Sequence, residues 1–100
     1  LNLGAAPTGQ AIAVDASTLE QEANYRRAWF RLTNPDVPPS DVAYHLRIDC
    51  TARTIEALAH RRQDAAGTVS EHRDYARDEE GPLPIEGGTV MEIAWLALCT

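Results

Sequence analysis

Lysine is absent from these 100 residues, and all nine basic residues are arginine. That removes a Schiff-base lysine and a phosphate-loop lysine together. No GxGxxG run is present, so the dinucleotide-binding fingerprint is missing as well. A basic excess is also lacking: the net charge is −6 and the pI about 4.9. Broad binding along a phosphate backbone needs a basic face, so we expect no nucleic-acid partner. The longest strongly apolar run, residues 93–99, is far too short for the roughly 30 Å of a bilayer core, and no transmembrane segment is expected. Cysteine is scarce, with only Cys50 and Cys99, and no CxxC pair exists. His45, His60 and His72 fall on no zinc-ligand spacing. Neither a metal nor another cofactor is expected.

What remains is an ordinary globular composition, 44% hydrophobic and 24% charged. The length suits one domain. A domain this small buries only about 60–68% of its unfolded surface, so a covalent tie would matter. Joining Cys50 to Cys99 closes a loop of about 50 residues, worth roughly 4 kcal/mol in the chain-entropy account. The alternative is a pair of buried free thiols in a cytosolic protein. The chain opens at Leu1 rather than methionine. We expect a processed form, which leaves room for an upstream leader or lipid anchor.

Residues 1–10 hold Gly4, Pro7 and Gly9 and no charged side chain, and read as a flexible N-terminal tail. Residues 11–14 read as a first strand, with a further short strand at 18–20. Residues 25–33 alternate, with Ala28, Phe30 and Leu32 on one face and Arg27, Trp29, Arg31 and Thr33 on the other. Prolines at 35, 38 and 39 then mark a loop. Residues 42–50 and 53–62 alternate again. A hairpin pairing Cys50 with Arg53 matches Ile48 with Ile55, Leu46 with Ala57 and Tyr44 with Ala59. The same register sets Arg47 opposite Glu56 on the wet face. Thr51-Ala52 lacks the glycine or asparagine of a two-residue turn, so a longer turn of the same parity stays open. A turn at 64–67 precedes a polar edge strand over 68–74, where charge discourages pairing with another chain. Residues 77–80 form a charged loop, and 81–88 read as an extended connector.

Thr89-Val90-Met91-Glu92 fits a capping box ahead of a helix over 90–99. Val90, Met91, Ala94, Trp95 and Leu98 make its inner stripe, with Cys99 at the edge. Glu92 and Leu96 lie opposite, and Ile93 lies beside them. The fold class is therefore α+β: an antiparallel sheet of about five to six strands, with one C-terminal helix packed on one face and tied by a disulfide.

The order of these features is similar to that of the bacterial surface-adhesin protein E-like domains. It consists of Val14-Asp15, the arginine- and tryptophan-bearing strand 26–32, Asp49-Cys50 with Arg53 shortly after, and Gly88 to Glu92 before the last cysteine. The resemblance covers residues 11–99. It implies a single domain over 11–100 and an exported envelope protein, sometimes a lipoprotein, placed in the periplasm or on the outer surface. It also implies a non-enzymatic module that binds host or matrix proteins. This chain departs from that picture in its lack of lysine and its negative charge.

Catalytic candidates are weak. Ser70 and His72 point one way along a strand and Glu71 the other, so they form no ready triad. Cys50 beside Asp49 resembles a thiol nucleophile, but the expected disulfide consumes it. In the register above, His45 opposes Leu58 and His60 opposes Ala43, diagonal neighbours on the outer face that suggest a surface metal or haem contact or plain half-exposed histidines. Asp78, Glu79 and Glu80 lack the spaced oxygens of a calcium loop. Arg61, Arg62 and Arg73 form a candidate patch for an acidic partner, with Asp64, Glu71 and Asp74 near to neutralise it. Ile93 and Leu96 are apolar where a one-sided helix should be wet. They are the candidate interface for a protein partner or a homodimer, unless Leu1 and Leu3 fold over them.

Overall fold

The computed structural model describes residues 1–34, 40–63, 69–76 and 79–99. The expected loop at 35–39, the turn at 64–67 and the acidic residue Asp78 lie outside them, as does the side chain of Ser70. The described elements are β1 (Asn2–Ala5), β2 (Ala11–Glu22), β3 (Tyr25–Asn34), β4 (Ser40–Asp49), β5 (Thr54–Gln63), β6 (Val69–Asp74), β7 (Glu80–Pro84) and α1 (Val90–Cys99). The strands make one seven-stranded antiparallel sheet in sequence order from β1 to β6, and β7 also pairs with β5. The fold is thus the expected antiparallel sheet with a C-terminal helix and a Cys50–Cys99 disulfide.

Alternation decides the faces. Ile12, Val14, Ala28, Phe30, Leu32, Val42, Leu46 and Ile48 are buried on the inner face. Their sequence neighbours Ala13, Arg27, Trp29, Arg31, Ala43, His45 and Arg47 therefore stand on the outer face. Helix α1 lies across β1 and β2 with Val90 and Ala94 fully inward. Met91, Trp95, Leu98 and Cys99 pack at the margin of the same core. The disulfide, Cα to Cα 5.5 Å, carries the helix end to the end of β4. The Trp95 indole N–H donates to the Cys50 carbonyl at 3.3 Å beside it, and Arg53 lies over the Trp95 ring at 4.4 Å.

Three expectations need correction. Residues 2–5 are no loose tail: they pair with β2, and Leu3 and Ala6 pack into the core. Apolar residues at alternate positions can add a strand even where glycine and proline are dense. The extended connector contains β7, laid against the lower half of β5. Gly81 makes that possible. Its φ is +134°, and a Cβ there would stand 2.8 Å from the Ile55 carbonyl oxygen. The β4–β5 register holds as expected from Ile48↔Ile55 through Arg47↔Glu56 to Leu46↔Ala57, then shifts. Leu58 is the extra residue of a bulge, so Tyr44 meets His60 rather than Ala59. The shift falls where the outer edge of β5 passes from β7 to β6. The Leu58 carbonyl accepts there from the Tyr75 N–H at 2.9 Å. The turn between β4 and β5 is the longer alternative, its first amides satisfied because Asp49 Oδ1 accepts from Thr51 and Ala52 at 3.0 Å each.

Candidate functional site

The bulge sorts the histidines onto opposite faces. His45 stays outside, while His60 turns to the inner face beside Tyr44. The expected diagonal pair therefore does not form. Among the described residues no group of three or more histidine, cysteine, aspartate or glutamate side chains is arranged to hold a metal ion.

On the outer face the side chains assemble around Trp29. Its ring and that of His45 stack, centroids 5.1 Å apart and planes within 8°. His72 approaches at 6.4 Å, and the Arg61 guanidinium lies over the indole at 4.7 Å. Cross-strand register builds this cluster: Trp29 opposes His45, and Arg61 opposes both Ala43 and His72. Burial and the nearby Arg27 guanidinium hold the His45 pKa below its ordinary value. Beside the cluster runs a groove of about 570 Å³ with Ala13 and Ala43 in its lining and Trp29, Arg31 and Arg61 around it.

On the inner face, beyond the helix, His60 bonds through Nδ1 to the Tyr75 hydroxyl and through Nε2 to Glu71 at 2.8 Å. Arg62 pairs with the same carboxylate at 3.6 Å. The His60 hydrogen bond holds the Glu71 pKa below the ordinary carboxylate value. A second groove, about 480 Å³ and mostly apolar, lies between Tyr44, Leu46, Ala57, Leu83 and Met91. A third feature is Glu56, only 4% exposed. Its Oε1 meets Arg47 at 3.2 Å, while Oε2 has no hydrogen-bond partner among the described residues.

The expected arginine patch is divided. Arg61 faces outward. Arg62 and Arg73 share the other face, paired with Glu71 and Glu79. Adjacent strand residues must point apart, so Arg61 and Arg62 were never able to act on one face. The candidate helix interface is divided too. Ile93 packs against the core under β1, where a Cβ on Gly4 would stand 3.7 Å from its Cγ2, whereas Leu96 stays 47% exposed. Glu71 and His72 do point apart as alternation requires, toward His60 and Asp74 respectively. The Trp29 cluster escaped the sequence reading, although Trp29 between Arg27 and Arg31 on a wet face was its visible signal. No family model, curated protein or solved structure matches this chain.

Proposed function

We propose that this chain is an exported, non-enzymatic domain of the bacterial envelope, in the periplasm or on the outer cell surface, that binds a protein partner. The observation that carries the reading is the Cys50–Cys99 bond between sheet end and closing helix. Such bonds persist in oxidising compartments and are rare in the cytosol. The bond also leaves no free thiol to serve as a nucleophile. The resemblance to surface-adhesin protein E-like domains supports the same compartment, and the aromatic and arginine cluster around Trp29 supplies a surface able to bind. No helix among the described residues is long and apolar enough to cross a membrane.

The test has two arms. Cell fractionation of the full gene product should place it outside the cytoplasm, and a cytoplasmic product overturns the reading. The pure domain applied to immobilised extracellular-matrix proteins should bind at micromolar concentration, and absence of binding removes the adhesive role. A second reading, a structural or dimer-forming accessory domain without a ligand, is favoured by the exposed Leu96 on α1. Light scattering on the wild type and on Leu96→Asp decides it. A dimer lost on substitution supports that reading, and monomers in both remove it.

A further inference from the structure

We infer that the outer-face groove between Arg31 and Arg61 is a binding site for a small organic carboxylate. In this acidic chain the arginines mostly find carboxylates. Arg27, Arg47, Arg53, Arg62 and Arg73 each pair with one. Arg26 instead donates to the carbonyls of Ala23 and Tyr25. Arg31 and Arg61 have no acidic partner among the described residues, despite the −6 net charge.

Their placement makes the omission informative. Arg31, Ala43 and Arg61 form one cross-strand row, with Arg31 opposite Ala43 and Ala43 opposite Arg61. Neighbouring strands lie about 4.8 Å apart, so the two arginine Cα atoms stand about 10 Å apart with only a methyl between them. Two side chains of that length converge readily on one anion. Arg61 is already held, its guanidinium over Trp29 and the indole backed by His45. Little side-chain freedom is then lost when it binds. The described carboxylate lining the groove, Asp15, is turned to its own chain and accepts from the Ser17 amide at 3.1 Å and hydroxyl at 2.6 Å.

The chemistry selects the ligand. A planar guanidinium fork matches a planar carboxylate with two parallel hydrogen bonds. The groove, about 570 Å³, is larger than a bare inorganic ion needs and falls within the roughly 300–1,000 Å³ of small-molecule sites. Its alanine-lined floor suits a compact apolar body. An extended polyanion is disfavoured, because Asp15, Glu20 and Asp74 stand on the same face. This inference deepens the binding-domain reading by naming a ligand chemistry for the outer face, and it fails separately from it.

The probes are benzoate, its neutral isostere benzamide and inorganic sulfate, titrated against the isotope-labelled domain while the arginine Nε–H resonances are followed. Benzoate should shift the Arg31 and Arg61 signals saturably and benzamide should not. Sulfate should bind more weakly. Arg31→Gln and Arg61→Gln should each weaken benzoate about tenfold, as expected for loss of a charge-assisted pair. Arg73→Gln, on the opposite face, should not. Ala43→Leu fills the floor between the two arginines and should also abolish binding. No saturable shift, equal binding of benzamide, sulfate tighter than benzoate, or undiminished binding in both arginine variants would overturn the site. Benzoate binding without matrix-protein binding keeps the site and removes only the adhesive role.

Discussion

Glu56 is the side chain whose environment is most exacting. Its carboxylate is nearly sealed beside Arg47 and Pro82, with one oxygen paired to Arg47 and the other without a partner among the described residues. Removing Arg47 strands that carboxylate, and Arg47→Met should cost about 2 kcal/mol, since an unpartnered buried group carries its desolvation cost in full. Arg47→Met with Glu56→Met should recover most of the loss, because a well-packed apolar pair replaces a buried ion pair at little cost. Urea unfolding of the two variants checks both outcomes. The pairing of Arg47 with Glu56 was legible in the sequence, because one register satisfied it and the apolar face together. Its burial was not legible. It arises from Gly81-Pro82 on β7, a contact between residues 25 positions apart that no local pattern announces.

Among the elements, β7 and the β5 bulge define what alternation can and cannot reveal. Strand parity is local, so β3, β4 and the lower half of β5 were readable from spacing alone. A bulge changes parity by one residue, and the single apolar Leu58 in a run of alternating residues gave no sign of it. Side chains of β5 beyond that point take the face opposite to the one that spacing alone gives, which is why His60 lies beside Tyr44 and not on the outer face. The helix was readable because Thr89 and Glu92 cap it. Glu92 N–H meets Thr89 Oγ1 at 3.4 Å, and the Glu92 carboxylate reaches back to the Gly88 amide at 3.2 Å, one residue earlier than a strict capping box. Gly81 is the hinge of the β7 assignment. Gly81→Ala combines a positive φ with a contact under 3 Å to the Ile55 carbonyl oxygen. It should destabilise the fold by about 1–3 kcal/mol, the usual cost of such backbone strain. A thermal melt equal to that of the wild type would show that β7 tolerates displacement from β5.

For the whole molecule, stability should fall on the acid side in two steps. His45 has a folded pKa below its ordinary 6.5, because burial and Arg27 disfavour the imidazolium. The unfolded chain then binds more protons between that lowered value and 6.5, so stability is complete above 6.5 and declines as the pH drops through the window. Glu71, held below 4.5 by its bond to His60, adds a contribution present above 4.5 that is lost at lower pH. This second step should be small, because the carboxylate is exposed. His45→Phe, which keeps a ring on Trp29, should remove the first step and leave the second. Urea midpoints measured across pH test this, and an unchanged first step would contradict the role given to His45.

The bond between Cys50 and Cys99 fixes α1 to the sheet, and its loss should cost about 4 kcal/mol from the roughly 5–15 kcal/mol of a typical domain. The direct measurement is a thiol count by mass spectrometry on protein alkylated at the moment of cell lysis and then unfolded without reductant. A native Cys50–Cys99 bond predicts no alkylated cysteine until reductant is added, then two. Alkylation of both Cys50 and Cys99 before reduction would contradict it.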